Sequence, residues 1–189
     1  MSPGILNRES LLMTNPEPDF TRKADSFTRK HRKAILQYRR DTEARLYQGD
    51  RVECPVCRSG FSGFAPFYPW METNRPEAGN DRPVRCPACD ALERHRFLWL
   101  FLNKHTDLFT GKKLRLIEFA PYRSFFNAFS SLPGLDYYPC DLHPDSLFYA
   151  DLDGEIIRAD ITALTFPDQY FDVMLCSHVL EHVADDRAA

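Results

Sequence analysis

The chain has 189 residues, of which 43% are apolar and 27% charged, the balance of a folded globular protein rather than a disordered one. Its uncharged apolar runs, such as Phe97–Leu102, fall far short of the ~20 residues that span a bilayer, and Asn7, Arg8 and Glu9 interrupt the N-terminal apolar residues, which argues against a secretory signal. The net charge of −3 hides an asymmetry: residues 22–51 carry ten Lys/Arg against four Asp/Glu, and residues 141–189 carry two against eleven.

Taken in chain order, residues 1–22 hold Pro3, Gly4, Pro16 and Pro18 among polar residues and predict a mobile tail. Residues 23–50 predict one amphipathic helix. No Pro or Gly falls between Ala24 and Tyr47, and Phe27, His31, Ala34, Ile35, Tyr38 and Leu46 recur at helical spacing. Asp25 or Ser26 is placed to cap its start and Gly49 to close its end. Arg29, Lys30, Arg32, Lys33, Arg39 and Arg40 fall on the other face, which reads as a solvated basic surface before it reads as a nucleic-acid contact.

Residues 51–110 form the next segment, with paired cysteines at both ends of a Pro-, Gly- and aromatic-rich stretch, followed by a helix over Ala91–Lys104. After Gly111 the pattern changes. Leu114–Phe119, Leu135–Cys140, Ile156–Ala159 and Phe171–Cys176 predict strands. Arg123–Leu132 predicts a helix between the first two, and another begins at Val179. Strands alternating with helices predict a parallel α/β sheet over residues 111–189.

Six cysteines without a signal sequence predict a reducing, cytoplasmic setting, where thiols bind metal more often than they form disulfides. Cys54-Pro-Val-Cys57 and Cys86-Pro-Ala-Cys89 are two CxxC pairs separated by 28 residues. Each is a tight turn whose two thiolates grip one ion, and together they complete a four-sulfur shell for a structural zinc in a small ribbon, with iron the main rival. Cys140 and Cys176 stand alone at strand ends and read as small core residues. Phe61, Phe64, Phe67, Tyr68 and Trp70 read as the ribbon's packing before a stacking platform for bases.

Three acidic residues close successive strands: Glu118, Asp141 and Asp160. In a doubly wound sheet the ligand lies outside the carboxyl ends of the strands, with the acid after the second strand on the ribose. The segments Leu114-Arg-Leu-Ile-Glu-Phe-Ala, Cys140-Asp-Leu-His-Pro, Arg158-Ala-Asp-Ile-Thr-Ala-Leu-Thr-Phe-Pro-Asp and Phe171-Asp-Val-Met-Leu-Cys-Ser-His-Val-Leu-Glu-His-Val resemble class I S-adenosylmethionine-dependent methyltransferases of the type 11 kind. The ribbon with Leu92-Glu-Arg-His-Arg-Phe-Leu-Trp-Leu is similar to the front end of a bacterial subgroup of these enzymes, so the resemblance spans roughly residues 51–189.

The resemblance implies a partial Rossmann-like sheet made of the family's first four strands. It implies Glu118 and Ala120 beside the methionine portion of S-adenosylmethionine, Asp141 on the ribose diol and Leu142 against the adenine. It also implies Asp160 on the adenine amine, the Ile161 N–H on a ring nitrogen, and Ser177 and His178 facing the transferred methyl group, with His178 as candidate catalytic base. The glycine-rich loop usual after the first strand is replaced by Phe119-Ala-Pro-Tyr-Arg-Ser-Phe-Phe, an Ala-Pro turn that the subgroup shares. The family's domain has seven strands. By that comparison the chain is expected to be truncated, weakly active alone and prone to self-association along an exposed fourth strand.

His178-Val-Leu-Glu181-His182 also matches the H-x-x-E-H pattern of one metalloprotease class, but its flanks fit a methyltransferase better, leaving Glu181 and His182 as a packing or surface pair. The expected function is methyl transfer to an unidentified small-molecule acceptor, with no membrane partner. The alternative is a zinc-ribbon module that binds nucleic acid through phosphates and carries a non-catalytic cofactor domain.

Overall fold

The computed structural model describes residues 26–67 and 82–189. The expected N-terminal tail, the helix cap at Asp25 or Ser26, and the side chains of Tyr68 and Trp70 lie outside what is described.

Helix α1 (Ser26–Leu46) is followed by two small antiparallel pairs. Strand β1 (Gln48–Glu53) pairs with β2 (Gly60–Phe61), and β3 (Ala65–Pro66) pairs with β4 (Pro83–Arg85). Gly49 lies inside β1 rather than closing α1. A Cβ at this position would stand 2.6 Å from the Ser62 nitrogen, so glycine is there because two strands touch. Helix α2 (Glu93–His105) leads to a four-stranded parallel sheet formed by β5 (Leu114–Phe119), β6 (Leu135–Asp141), β7 (Ile157–Arg158) and β8 (Val173–Cys176), with α3 (Arg123–Ser130) joining β5 to β6. The order β7-β6-β5-β8 places the chain reversal between β5 and β8, where an α/β sheet opens a crevice at its carboxyl ends. This is a partial Rossmann-like fold.

Among the described residues β8 is an edge, and Met174 on it is 51% exposed. The helix expected from Val179 is only a 3₁₀ turn, Leu180–His182, with no buried residue. Helices of this length take their stability from an apolar face packed on a neighbour, and this segment has none. Pro139 is accommodated inside β6 by strand geometry. The Ala120 N–H donates to the Cys140 carbonyl and the Leu114 N–H to that of Gly134, so the even-numbered residues of β6 face β5. Pro139 therefore turns its missing N–H toward β7, whose pairing begins only at Cys140.

The ribbon is not a separate bead. Its Cys54, Val56, Phe61, Cys86 and Cys89 share one buried cluster with Trp99 and Leu102 of α2, Phe125 and Phe129 of α3, and Leu116 of β5. Trp99 is the hinge of this core, stacking on Phe129 at 5.6 Å and meeting Phe109 edge-on at 4.7 Å between ring centres. Phe61 is buried as ribbon packing, and Phe64 is covered by the Arg96 guanidinium at 3.7 Å.

Helix α1 docks with the opposite face from that expected. Phe27, Ile35, Tyr38 and Leu46 are 67–76% exposed, whereas Arg40 is 2% exposed. Arg40 Nη1 donates to Asp151 Oδ2 at 2.7 Å and to Asp90 Oδ2 at 3.4 Å; Arg39 Nη2 reaches both oxygens of Asp90 at 2.6–2.7 Å. The fully buried Arg85 grips Glu43 of α1 with both terminal nitrogens and Asp90 with one. Arg123, at the start of α3, completes the network on Asp151 at 3.1 Å. Further along, Lys33 pairs with Asp153, and Arg29 donates to the Asp145 carbonyl. Part of the basic front of the chain is thus paired with its acidic back, through Arg40–Asp151 and Lys33–Asp153.

Candidate functional site

Two arrangements carry chemistry. The first is built by two turns of the same design. In one, the Arg58 N–H donates to the Cys54 carbonyl at 2.7 Å and the Cys54 N–H to that of Ser59 at 3.0 Å. In the other, the Asp90 N–H donates to the Cys86 carbonyl at 3.1 Å and the Cys86 N–H to that of Ala91 at 2.9 Å. Arg58 and Asp90 occupy the same place in each turn and both take left-handed backbone, at φ 58° and 65°. The turns aim four sulfurs at one point, all within 4.8 Å of one another.

Cys54 Sγ lies 3.7 Å from Cys89 Sγ, and Cys57 Sγ lies 3.7 Å from Cys86 Sγ. That is far beyond the ~2.05 Å of a disulfide. It agrees with the edge of roughly 3.8 Å that a tetrahedron has when each metal–sulfur bond is ~2.3 Å. Crowding drives the thiols apart in acidity. Contacts from Cys54, Cys86 and Cys89 hold Cys57 below the usual thiol range, and contacts from Cys54, Cys57 and Cys86 push Cys89 above it. Four thiolates coexist here only with a cation among them. Among the described residues this is the one cluster of three or more metal-type ligands. His178 and His182 do not share a helix face, as the metalloprotease pattern requires, because residues 180–182 form a 3₁₀ turn.

The second arrangement is the cleft at the carboxyl ends of β5, β6, β7 and β8. It consists of two adjoining cavities of about 430 and 680 Å³ that share Ala120, Asp141, His143, His178 and His182. The smaller also has Glu118, Tyr122 and Ser177 on its walls, and the larger has Leu142, Asp160 and Ile161. Glu118, Ala120, Asp141, Leu142, Asp160, Ile161, Ser177 and His178, singled out in the sequence, are all brought to this one cleft.

Each acid is held differently. Glu118 is buried on β5, where Tyr137 of β6 donates its hydroxyl to Oε2. Burial raises its pKa from the ordinary 4.5 to about 7, against the opposing bonds from the Tyr137 hydroxyl and the Tyr122 N–H. Asp141 accepts from the His143 N–H at 2.6 Å and from the Tyr149 hydroxyl at 2.5 Å, which fixes its carboxylate at the end of β6. Asp160 is exposed, and bonds from the Thr162 hydroxyl and N–H hold it below the usual carboxylate range.

Two turns of the cleft carry non-glycine residues in left-handed backbone, Ala120 at φ 50° after β5 and His178 at φ 57° after β8. Such conformations cost about 1–3 kcal/mol each and collect at functional sites. His178 Nδ1 also lies 3.0 Å from Glu181 Oε1, a contact between two exposed side chains.

Sequence reasoning missed Tyr149, His143, Arg94 and His95. The last two come from α2, outside the strand pattern, and no spacing signal ties them to the sheet. His95 is 5% exposed, stacks on the Tyr122 ring at 4.0 Å and accepts the Leu92 N–H on Nδ1 at 3.2 Å. Burial, then the charges of Arg94 and His178, push its pKa down to about 3, so its imidazole is neutral.

Residues 124–189 match the family model described as a methyltransferase domain. This part of the chain is a methyltransferase domain. No curated protein and no solved structure matches the chain. The matched segment begins at Ser124, inside α3, so the ribbon, α2 and β5 lie outside it, although Arg94 and His95 of α2 and Glu118 of β5 line the cleft. No helix among the described residues is long and apolar enough to cross a membrane.

Proposed function

We propose that the chain binds S-adenosylmethionine across the carboxyl ends of its parallel sheet and transfers the methyl group to a small-molecule acceptor. One observation carries this reading: acids from three successive strands, Glu118, Asp141 and Asp160, converge on one cleft whose far wall is Ser177 and His178. In this reading Asp141, oriented by Tyr149 and the His143 N–H, accepts from a ribose diol. Leu142, 49% exposed, offers an apolar face to the adenine, and Asp160 and the Ile161 N–H read its edge. Glu118, poised near neutrality, takes up negative charge when an ammonium group arrives beside it.

When bound, the cofactor supplies a sulfonium leaving group, so transfer depends chiefly on holding the acceptor in line. His178 is the candidate base where the acceptor carries a proton to be removed, and Glu181 steadies its ring. The four cysteines would hold a structural zinc, since a closed all-thiolate shell leaves no open position for substrate.

Calorimetric titration of the purified 189-residue chain with S-adenosylhomocysteine tests the reading, with binding expected in the micromolar range typical of small-molecule sites. No binding by zinc-loaded, folded protein sinks it. Titration with duplex DNA and single-stranded RNA at two salt concentrations tests the alternative, for which binding must fall steeply with salt.

A further inference from the structure

A third cavity, of about 90 Å³, adjoins the cleft and shares Tyr122, Phe148 and Tyr149 with its wall. Neither the cofactor reading nor the cysteine centre uses it. It is far below the ~300 Å³ at which organic ligands are usually housed. Its lining is nevertheless heavily charged, with Arg32, Arg39, Arg40 and Arg123 against Asp90 and Asp151. Shared acid oxygens fix how close three of these guanidiniums come. Asp151 Oδ2 lies 2.7 Å from Arg40 Nη1 and 3.1 Å from Arg123 Nε. Asp90 Oδ2 lies 2.6 Å from Arg39 Nη2 and 3.4 Å from Arg40 Nη1.

The charges here do not balance. With Arg85 and Glu43 included, the network joins four guanidiniums, of Arg39, Arg40, Arg85 and Arg123, to three carboxylates. Arg32, exposed on the same cavity, has no ion-pair partner among the described residues. The donors do not balance either. Arg40 is 2% exposed, and its Nε is buried without a hydrogen-bond acceptor. Arg123 approaches Asp151 through Nε, outside hydrogen-bonding geometry, and its two terminal nitrogens have no partner among the described residues. Burial, and then the charge of Arg40, push the Arg123 pKa below its ordinary value. An added anion relieves cations crowded out of water in this way.

We propose that this cavity is a binding site for one small oxyanion of the phosphate class, held by Arg123, Arg40 and Arg32 through the donors that Asp151 leaves over. Guanidinium groups match the spacing of phosphate oxygens, which favours such an ion over chloride. The bound ion ties α1 to the start of α3 and so stabilises the folded chain.

Calorimetric titration of the intact, zinc-loaded chain with sodium phosphate, at neutral pH and constant ionic strength, tests this. One equivalent should bind with a dissociation constant of about 1 mM or below. Arg123→Gln should weaken binding about tenfold or more, and Arg32→Gln about threefold or more. Lys30→Gln removes the same charge from the exposed face of α1 outside this cavity, and should leave the affinity within about twofold. A loss in Lys30→Gln equal to that in Arg32→Gln reports the general basic surface and overturns the proposal, as does unchanged affinity in Arg32→Gln. Absence of saturable binding to the unaltered chain also overturns it, and leaves the thiolates of the cysteine centre beyond Asp90 to balance the arginines. Arg32 is exposed, so Arg32→Gln decides the matter even where Arg123→Gln fails to fold.

Discussion

Replacing Glu118 by glutamine tests the electrostatics of the cleft most directly. The carboxyl group is 5% exposed, and its pKa is raised from 4.5 to about 7 chiefly by burial. In the unfolded chain it ionises near its ordinary value. Between roughly pH 4.5 and 7 the folded protein therefore holds a proton that the unfolded chain has lost, and stability falls as pH rises through this window. A displacement of about 2.5 pH units at ~1.36 kcal/mol each gives a penalty of about 3 kcal/mol above pH 7.

Glutamine never ionises and keeps an oxygen to accept the Tyr137 hydroxyl. Glu118→Gln should consequently be more stable than the parent by about 3 kcal/mol at pH 8.5, with the difference shrinking steadily to pH 5.5. Urea unfolding of the zinc-loaded protein at four pH values in that range measures this, provided the slopes with denaturant are equal. The same variant should bind S-adenosylhomocysteine more weakly, so stability and affinity move in opposite directions. Parallel stability curves for the two proteins, or a variant less stable at pH 8.5, would refute the claim that a buried carboxylate whose hydrogen bonds only partly offset its burial lies at the end of β5.

Three further outcomes follow from the geometry. Cys86→Ser should reduce bound zinc from about one equivalent to none by elemental analysis and expose residues 51–90 to limited proteolysis, whereas full zinc content would count against a shared four-sulfur site. Asp141→Asn should weaken both S-adenosylhomocysteine and methylthioadenosine by about tenfold, because the ribose is common to them; a loss confined to one would misplace the ribose. Arg40→Met should destabilise the fold by about 1–3 kcal/mol by removing the nearer of the two cations on Asp151 and one of three on Asp90, and adding Asp151→Leu should recover part of that loss in thermal unfolding.

Strand β5 is legible in the sequence to the residue, and β6 differs from expectation by one position, because Gly111 and Gly134 mark a break shortly before each of them. The ends of β7 and β8 are less legible. A two-residue strand such as Ile157–Arg158 exists only because β6 lies beside it, and nothing in its own composition announces that. The cleft acids are readable because strand ends in this fold are ligand positions whatever the ligand. Tyr149 and His95 are not readable, since each reaches the cleft from a loop or helix whose approach depends on packing far away in sequence. His95 arrives only because Trp99, one turn further along α2, is fixed between Phe109 and the aromatic face of α3.

Helix α1 shows why periodicity alone does not decide orientation. Its pattern divides the helix correctly into an apolar stripe and a basic one, but the pattern is silent on which stripe faces the protein. Hydrophobic burial favours turning Phe27, Ile35 and Tyr38 inward. Against it stands the cost of leaving Asp90 with Arg85 alone and Asp151 with Arg123 alone, each acid being 8% exposed. A buried carboxylate short of partners carries a desolvation cost that its remaining contact only partly offsets. Asp90 is held in place by the second cysteine turn and Asp151 by the segment before β7, so neither can move to water without disturbing a larger structure. The arginines therefore come to the acids. Asp90 follows Cys89 directly, and Arg123 opens α3 just past the turn that walls the cleft. One ion network thus spans the cysteine turns, α1 and the floor of the cleft, and it makes the basic helix part of the fold that supports the site rather than a free surface beside it.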